Sequence, residues 1–577
     1  MAAVDFSYNG RGLRAEEGIT VAEALRSNGI RLGGRSMRLR VWRDEYHPLK
    51  EVPSAWVSID GIANINAYRV RLKAGMKIAS QTRRSLLALI GRYSGTGFYY
   101  RNFTRSEFAR NFFFERVRKV NDYGGPNDPW KSSPGAVSEL VFEPSEEMVP
   151  DVLIAGAGRS GLAALAALNL PEGSTVIVVD ALPREIIEGN FRQLVLDMKG
   201  DAFPPELCPA AADTLDGLLK RKNATLLDGT TIFGAFEGGE YTAARGYSKI
   251  LLLKPSAAIL CTGSEEVKPV FQKNDIPGVI TSRTLLSMPP NLFQDRKFPV
   301  LCLEAPLSVN YLSRISAVVK PTHVFLSFNA DEEYAAQLSS VFGIAGQDIV
   351  SGRPSAAYGT YKVETLAVSL AGGGTKQFPT DLIVLAGRRQ PRSELALLLS
   401  LNSMIDAETG MPVPAVNGGM LCGGDVYACG SLVYRDRTRS IASALVAAES
   451  VSIKLGMKGR SELMPYLIEA MAKRAEIKEL AHGQPGVKAV VCPCLDVTIG
   501  DMRRLYSEGY KTINRMRRFS GLFMGPCQGA RCYRNAFEEY HSISGKQIDL
   551  PTVRPPLVPV YLGALALTDI PIEEEKK

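Results

Sequence analysis

Histidine is scarce in this sequence: His47, His323, His482 and His541 are the only four in 577 residues, and they lie far apart. That scarcity excludes a histidine-rich metal centre, and each of the four reads as structural. Long apolar runs are missing too; the most apolar, residues 162–170, is far too short to cross a bilayer. The start, Met1-Ala2-Ala3-Val4-Asp5-Phe6, has neither the basic residues nor the apolar stretch of a secretory signal. These absences predict a cytoplasmic protein with no transmembrane segment. There is no low-complexity tract and no repeat, which excludes solenoids and fibres. What remains is an ordinary globular composition, in a chain too long for one core.

Acidic residues number 60 against 68 basic ones, a formal charge of +8. The surplus gathers in residues 69–119, with Arg83, Arg84, Arg101, Arg110, Arg116 and Arg118, and in residues 503–518, with Arg515, Arg517 and Arg518. No groove-reading motif accompanies either cluster, so no nucleic-acid partner is expected. Faces that meet cofactor phosphates or an acidic partner subunit are one reading, and a plain solvated surface is the other.

Nine cysteines without an export signal argue against a disulfide framework. Cys208, Cys261, Cys302, Cys422 and Cys429 stand singly in apolar surroundings and read as small core residues. The other four, Cys492, Cys494, Cys527 and Cys532, are crowded near the C-terminus. Their spacing is Cys-x-Cys, 32 residues, then Cys-x4-Cys. Two thiolates per loop suit a [2Fe–2S] cluster. Zinc is the rival reading, although its loops more often read Cys-x2-Cys or Cys-x4-Cys, and inert buried thiols are the third. Helices predicted over 499–507 and 512–519 fill the interval, as in small helical domains of the bacterioferritin-associated-ferredoxin type.

Along the chain, residues 1–88 read as short strands around one helix at 20–27, a ferredoxin-like β-grasp domain. Where plant-type ferredoxins carry cluster cysteines, this loop reads Leu32-Gly33-Gly34-Arg35-Ser36, so the unit is expected to be a scaffold without a cluster. Residues 89–147 form a connector, aromatic and basic from Gly97-Phe98-Tyr99-Tyr100-Arg101 to Phe114-Glu115. Three prolines and two glycines within 124–134 mark its boundary.

The core begins with a buried strand, Val152-Leu153-Ile154-Ala155, then Gly156-Ala157-Gly158-Arg159-Ser160-Gly161, a helix, and a second strand ending at Asp180. Gly156 permits the tight turn, Gly158 lets backbone approach a pyrophosphate, and Gly161 lets helix and strand pack. Asp180, about 20 residues on, can accept from the ribose hydroxyls of an adenosine. The predicted fold class is therefore α/β, with a Rossmann-like core of two dinucleotide-binding domains. Thr262-Gly263 stands where two-domain flavoproteins carry an Ala-Thr-Gly turn. Gly424-Asp425 resembles the motif whose carboxylate bonds the flavin ribityl chain; an exposed loop aspartate is the plainer alternative. The first binding domain is assigned to 148–296 and 377–460. A nicotinamide-type domain is inserted at 297–376, and its turn, Glu304-Ala305-Pro306-Leu307-Ser308-Val309-Asn310, has no glycine. Side chains there would block a pyrophosphate, so nicotinamide binding is expected to be lost. The cluster domain is assigned to 478–545 and a tail to 546–577.

Taken in order, the β-grasp unit, Gly97-Phe98-Tyr99-Tyr100, Gly156-x-Gly158-x-x-Gly161, Gly424-Asp425, Cys492-Pro493-Cys494, Gly525-Pro526-Cys527-Gln528-Gly529 and Arg554-Pro555-Pro556 resemble the α subunit of heterotetrameric sarcosine oxidase. They also resemble related subunits of opine dehydrogenases, hydrogen cyanide synthase and dye-linked proline or hydroxyproline dehydrogenases. Two departures stand out: the family's large folate-binding aminomethyltransferase domain is not in this sequence, and Leu495 replaces the usual glutamate after Cys-x-Cys. The resemblance implies an oxidoreductase acting on CH–NH groups, with oxidation at FAD in an amine-oxidase-type flavoprotein β subunit. It further implies a hetero-oligomer with FMN at a subunit interface and a dinucleotide (FAD, NAD or an adenine nucleotide) at the Gly156 site. No catalytic residue is assigned to this chain. The alternative is a self-sufficient NAD(P)H-dependent FAD oxidoreductase, and a structural subunit with a silent nucleotide is the third.

Overall fold

In the computed structural model the described residues are 3–80, 106–112, 142–198, 203–460 and 485–568, apart from short gaps inside those spans. The aromatic connector around Gly97–Phe103 and the boundary at 124–134 lie outside the described residues. The chain divides into two compact units: Met1–Glu139, Glu266–Gln390 and Ile477–Pro551 in one, Leu140–Glu265, Pro391–Glu476 and Thr552–Lys577 in the other. Among the described residues no helix is long and apolar enough to cross a membrane.

The second unit is built on a six-stranded sheet. Its order is Ala224–Leu227, Val176–Val179, Val152–Ala155, Ala257–Leu260, Val426–Ala428 and Leu421–Gly423. The first five strands are parallel. Strand residues alternate between two cores, as the two-residue pleat requires. Val152, Ile154, Val176, Val178, Ala257 and Ile259 pack with the helices Arg159–Ala167 and Arg437–Lys454. Leu153, Ala155, Ile177, Val179, Ala258 and Leu260 pack on the other side with residues of Glu240–Arg245 and Lys249–Leu253. Burial on both faces explains why these strands read as unbroken apolar runs.

The first unit holds three bodies. The β-grasp sheet runs Arg11–Glu16, Ala3–Tyr8, Lys77–Ser80, Trp56–Ile59, Ile62–Asn66. Its first hairpin turns at Asn9-Gly10, both with positive φ, and Thr20 with Glu23 forms a reciprocal cap on the helix Val21–Ser27. A seven-stranded sheet follows, ordered Val279–Thr281, Leu382–Ala386, Pro299–Leu303, His323–Leu326, Ile349–Tyr358, Thr365–Leu370, Thr375–Pro379. It takes in strands on both sides of the assigned 297–376 limits, so the boundaries placed from sequence fall inside the sheet. The compact segment runs Glu266–Gln390. The reason is plain: 279–281 pairs with 382–386, a contact far apart in sequence. The C-terminal body has a short hairpin, Val490–Cys492 with Val497–Thr498, and helices Ile499–Ser507, Ile513–Ser520 and Tyr533–Ser544.

Candidate functional site

The glycine-rich turn sits at the carboxyl ends of the parallel strands, where open α/β sheets bind ligands. Gly156 has φ +118, and a Cβ there would lie 2.3 Å from the Cys261 carbonyl oxygen. A Cβ on Gly161 would lie 1.8 Å from the Gly156 carbonyl. Neither can be anything else. Gly158 is different: a Cβ on it would meet nothing within 4 Å, so the chain leaves this side of the turn open. It is also the N-cap of Arg159–Ala167, whose first-turn amides and dipole favour an anion at that edge. The Asp180 carboxylate accepts from Ala157 N–H at 2.6 Å and from Leu182 N–H at 2.8 Å. It braces the turn.

Thr262 and Gly263 complete the edge. The Thr262 hydroxyl donates to the Arg392 carbonyl at 2.8 Å, and Gly263, at φ +78, accepts from Arg392 N–H at 3.0 Å. The structure separates Asp425 from this group. The register aligns Leu260 with Ala155 and with Ala428, so the residues level with Gly156 are Cys429 and Gly430. Gly424-Asp425 precedes the Val426–Ala428 strand and lies at its far end, about 15 Å away at strand rise. Asp425 is 62% exposed and pairs with Lys454. The plainer alternative holds there, and Ser431, next to Gly430, is the polar side chain that reaches the edge near Gly263.

Two features here have no local signal in the sequence. Asp197, its side chain 1% exposed, accepts from Arg159 at 2.7 Å and from Arg437 at 2.9 Å, gathering two guanidinium groups at the starts of two helices. Cys261 and Cys429, solitary in sequence, face each other with sulfurs 3.1 Å apart. Hydrogen bonding to Cys261 and burial hold the Cys429 thiol well above the usual range, which makes Cys429 a poor nucleophile.

In the seven-stranded domain the turn after Pro299–Leu303 is filled by its own side chains. Glu304 is buried and accepts from the Ser327 hydroxyl at 2.9 Å. Leu307 N–H donates to the Tyr334 hydroxyl at 2.8 Å. Pro306 has no amide to offer. A carboxylate at the turn repels phosphate, and one amide donor is already taken.

All four C-terminal cysteines are buried and mutually close. Cys494 and Cys527 have sulfurs 3.3 Å apart, and Cys492 is within hydrogen-bond reach of Cys494 and Cys532. The hairpin carries the first pair, and the loop before Tyr533–Ser544 carries the second. A Cβ on Gly525 would meet the Cys494 Cβ at 2.6 Å, so glycine is what lets the two loops close together. Hydrogen bonding to Cys492, with burial, pushes the Cys494 thiol up to about 12, while Cys527 and buried Arg531 pull the other way. Among the described residues no group of three or more ligating side chains is arranged to hold a metal ion. The donor set itself, four sulfurs beside a buried guanidinium, suits a thiolate-ligated cluster. Of the basic cluster at 503–518, Arg503 pairs with Glu539 and Arg504 with Asp501, while Arg515 and Arg518 are exposed.

Residues 1–83 match a family described as a 2Fe-2S iron-sulfur cluster binding domain, and residues 487–569 match the sarcosine oxidase A3 domain. The first match covers no cysteine, since the earliest in the chain is Cys208. The sarcosine oxidase subunit alpha of Rhizobium meliloti (strain 1021) is 26% identical over an alignment spanning 97% of this chain and 57% of the relative. That of Corynebacterium sp. (strain U-96) is 22% identical, spanning 98% and 56%. L-proline dehydrogenase from P. horikoshii shares the fold, with a TM-score of 0.62 at 18% identity over 98% of this chain and 97% of that one. The chain thus spans a little over half the length of the curated relatives it matches. It is similar along nearly its whole length to sarcosine oxidase α subunits and shares the fold of that dehydrogenase.

Proposed function

We propose that this chain is the α-type electron-transfer subunit of a heteromeric flavin-dependent amine or imino-acid dehydrogenase or oxidase, of the sarcosine, proline, hydroxyproline or opine class. One observation carries the reading: a four-cysteine module lies in the same compact unit as a dinucleotide-type domain whose turn is filled by Glu304 and Tyr334. A subunit that cannot take hydride from a nicotinamide needs another electron partner. A cluster supplies one-electron transfer when bound.

In this reading Cys492, Cys494, Cys527 and Cys532 hold a [2Fe–2S] cluster within domain 478–545. Gly156, Gly158, Gly161, Asp180, Thr262 and Gly263 hold an adenine-containing cofactor, FAD, NAD or an adenine nucleotide. Arg159 and Arg437, gathered by Asp197, add positive charge beside the phosphates. Asp425 has no part in it. The protein works in the cytoplasm with an amine-oxidase-type flavoprotein β subunit, FMN lying at their interface, and substrate is oxidised in that partner. The self-sufficient NAD(P)H oxidoreductase is disfavoured by the filled turn at 304–310.

Metal and cofactor analysis of anaerobically purified protein tests this. Iron and acid-labile sulfide are expected at about two each per chain, with an adenine nucleotide released on denaturation. Cys494→Ser should lose iron and sulfide while the nucleotide stays. Stoichiometric zinc without iron would sink the cluster assignment.

A further inference from the structure

Cys532 stands in two places at once. It is the last of the four cysteines, and it is the N-cap of Tyr533–Ser544, where its side chain makes no capping hydrogen bond. Helix N-caps favour Ser, Thr, Asp and Asn because their oxygens accept an amide of the first turn; a thiol is a weak acceptor. The first-turn amide of Arg534 is satisfied all the same. It donates to Oε1 of Gln390 at 3.1 Å, and Nε2 of the same Gln390 donates to the Gly529 carbonyl at 3.1 Å.

Gln390 is 0% exposed, so water competes for neither bond. One side-chain amide therefore fixes the backbone three residues before Cys532 and two residues after it. The segment has little room to readjust. Gly529 has φ +91, and a Cβ on it would lie 2.4 Å from the Tyr533 ring. Asn274 treats the other loop in the same way, donating to Val490 O at 3.0 Å and accepting from Val490 N–H at 3.3 Å, two residues before Cys492. Both amides come from the 266–390 domain.

We propose that Gln390 is a positioning residue for the four-cysteine site. It caps the 533–544 helix in place of Cys532, which frees that sulfur to be a ligand, and it holds residues 529–534 in the shape the ligand loop needs. The dinucleotide-type domain then has a use that requires no nucleotide: it is the bed on which the cysteine loops are set. This rests on reading the four cysteines as cluster ligands.

The test compares anaerobically purified wild type with Gln390→Leu, Gln390→Glu and Asn535→Leu. Asn535 donates to the Lys268 carbonyl at 3.0 Å, joining the same two bodies without touching either cysteine loop. Two readouts are taken: the rate of iron transfer to a ferrous chelator, and the electron paramagnetic resonance spectrum of the reduced protein. Gln390→Leu is expected to speed iron loss at least tenfold and to shift the spectrum. Gln390→Glu keeps an acceptor for Arg534 N–H but loses the donor to the Gly529 carbonyl, so its iron loss should fall between those of wild type and Gln390→Leu. Asn535→Leu should stay within twofold, whatever it costs in melting temperature. The proposal is overturned if Gln390→Leu loses iron at the wild-type rate with an unchanged spectrum. It is equally overturned if Asn535→Leu loses iron as fast, since the contact would then be mere docking. Zinc in the wild type would defeat the cluster reading alone, because the chelation rate of zinc still decides the role of Gln390.

Discussion

At the scale of single residues, the three glycines of the turn make opposite demands, and the structure tells them apart. Gly161→Ala puts a carbon 1.8 Å from a carbonyl oxygen. Overpacking of this kind costs about 1–3 kcal/mol or more, so a lowered melting temperature is expected whether or not a ligand is bound. The Cβ that Gly158→Val adds meets nothing within 4 Å. The substitution should leave the melting temperature of nucleotide-free protein within a degree or two of wild type, yet abolish nucleotide retention. Thermal unfolding beside mass spectrometry of the released cofactor separates the two, and full occupancy in Gly158→Val would show the pyrophosphate lies elsewhere. Asp180→Ala should weaken binding by roughly 1.5–3 kcal/mol, the worth of hydrogen bonds to a charged group. It also frees the Ala157 amide that Asp180 holds, so part of that loss is a loosened turn. The tight turn and its carboxylate brace were legible because strand, glycine spacing and acid follow one another locally. Asp425 was not, because a Gly-Asp beside a three-residue strand reads alike from either end, and only the register with Leu260 decides which end faces the turn. Asp197, Cys261 and Cys429 were hidden for the same reason: their partners are long-range.

At the scale of elements, helices with local signals were legible nearly to the residue. Thr498 with Asp501 closes a capping box on Ile499–Ser507, and Gly521 in the left-handed region ends Ile513–Ser520, close to the expected 499–507 and 512–519. What the helix Tyr533–Ser544 packs against was not. Its Glu538 receives Arg534 from its own preceding turn and Arg388 from the 266–390 domain. Burial alone would raise the Glu538 carboxyl, but the two guanidinium groups outweigh it and bring it down from 4.5 to about 2. A carboxylate whose folded value is depressed contributes stability that is complete above its unfolded value and vanishes as pH falls through the folded one. The window is therefore about pH 4.5 down to 2. Since Glu538 keeps 37% of its side-chain surface exposed, solvent screening leaves a contribution of about 1 kcal/mol. Glu538→Gln should melt below wild type at pH 5 and above, with the two curves converging toward pH 2. A gap independent of pH would mean the glutamate acts through packing and not through charge.

At the scale of the whole molecule, two turns of the same type have diverged in opposite directions. In one compact unit Gly156, Gly158 and Gly161 leave an open approach to a helix start. In the other, Glu304, Pro306 and Val309 occupy the equivalent spacing, and Tyr334 takes the Leu307 amide. The missing glycines were visible in sequence; Tyr334 was not, because it reaches back 27 residues from the helix Glu332–Phe342. A nicotinamide dinucleotide would have to displace that hydroxyl and set its phosphates beside a buried carboxylate, losing hydrogen bonds and gaining repulsion. The purified chain should therefore take no electrons from NADH or NADPH on the millisecond-to-second scale. Stopped-flow mixing under anaerobic conditions, following flavin and cluster absorbance, measures this directly. Dithionite in the same instrument should bleach the cluster, which shows that the electron carrier is present and only the route from nicotinamide is closed. Glu304→Gly with Tyr334→Phe asks the converse. If filling of the turn is the whole obstacle, that double variant gains measurable NADH binding by isothermal calorimetry, whereas rapid reduction of the unmodified chain by NADH would return the self-sufficient oxidoreductase to first place.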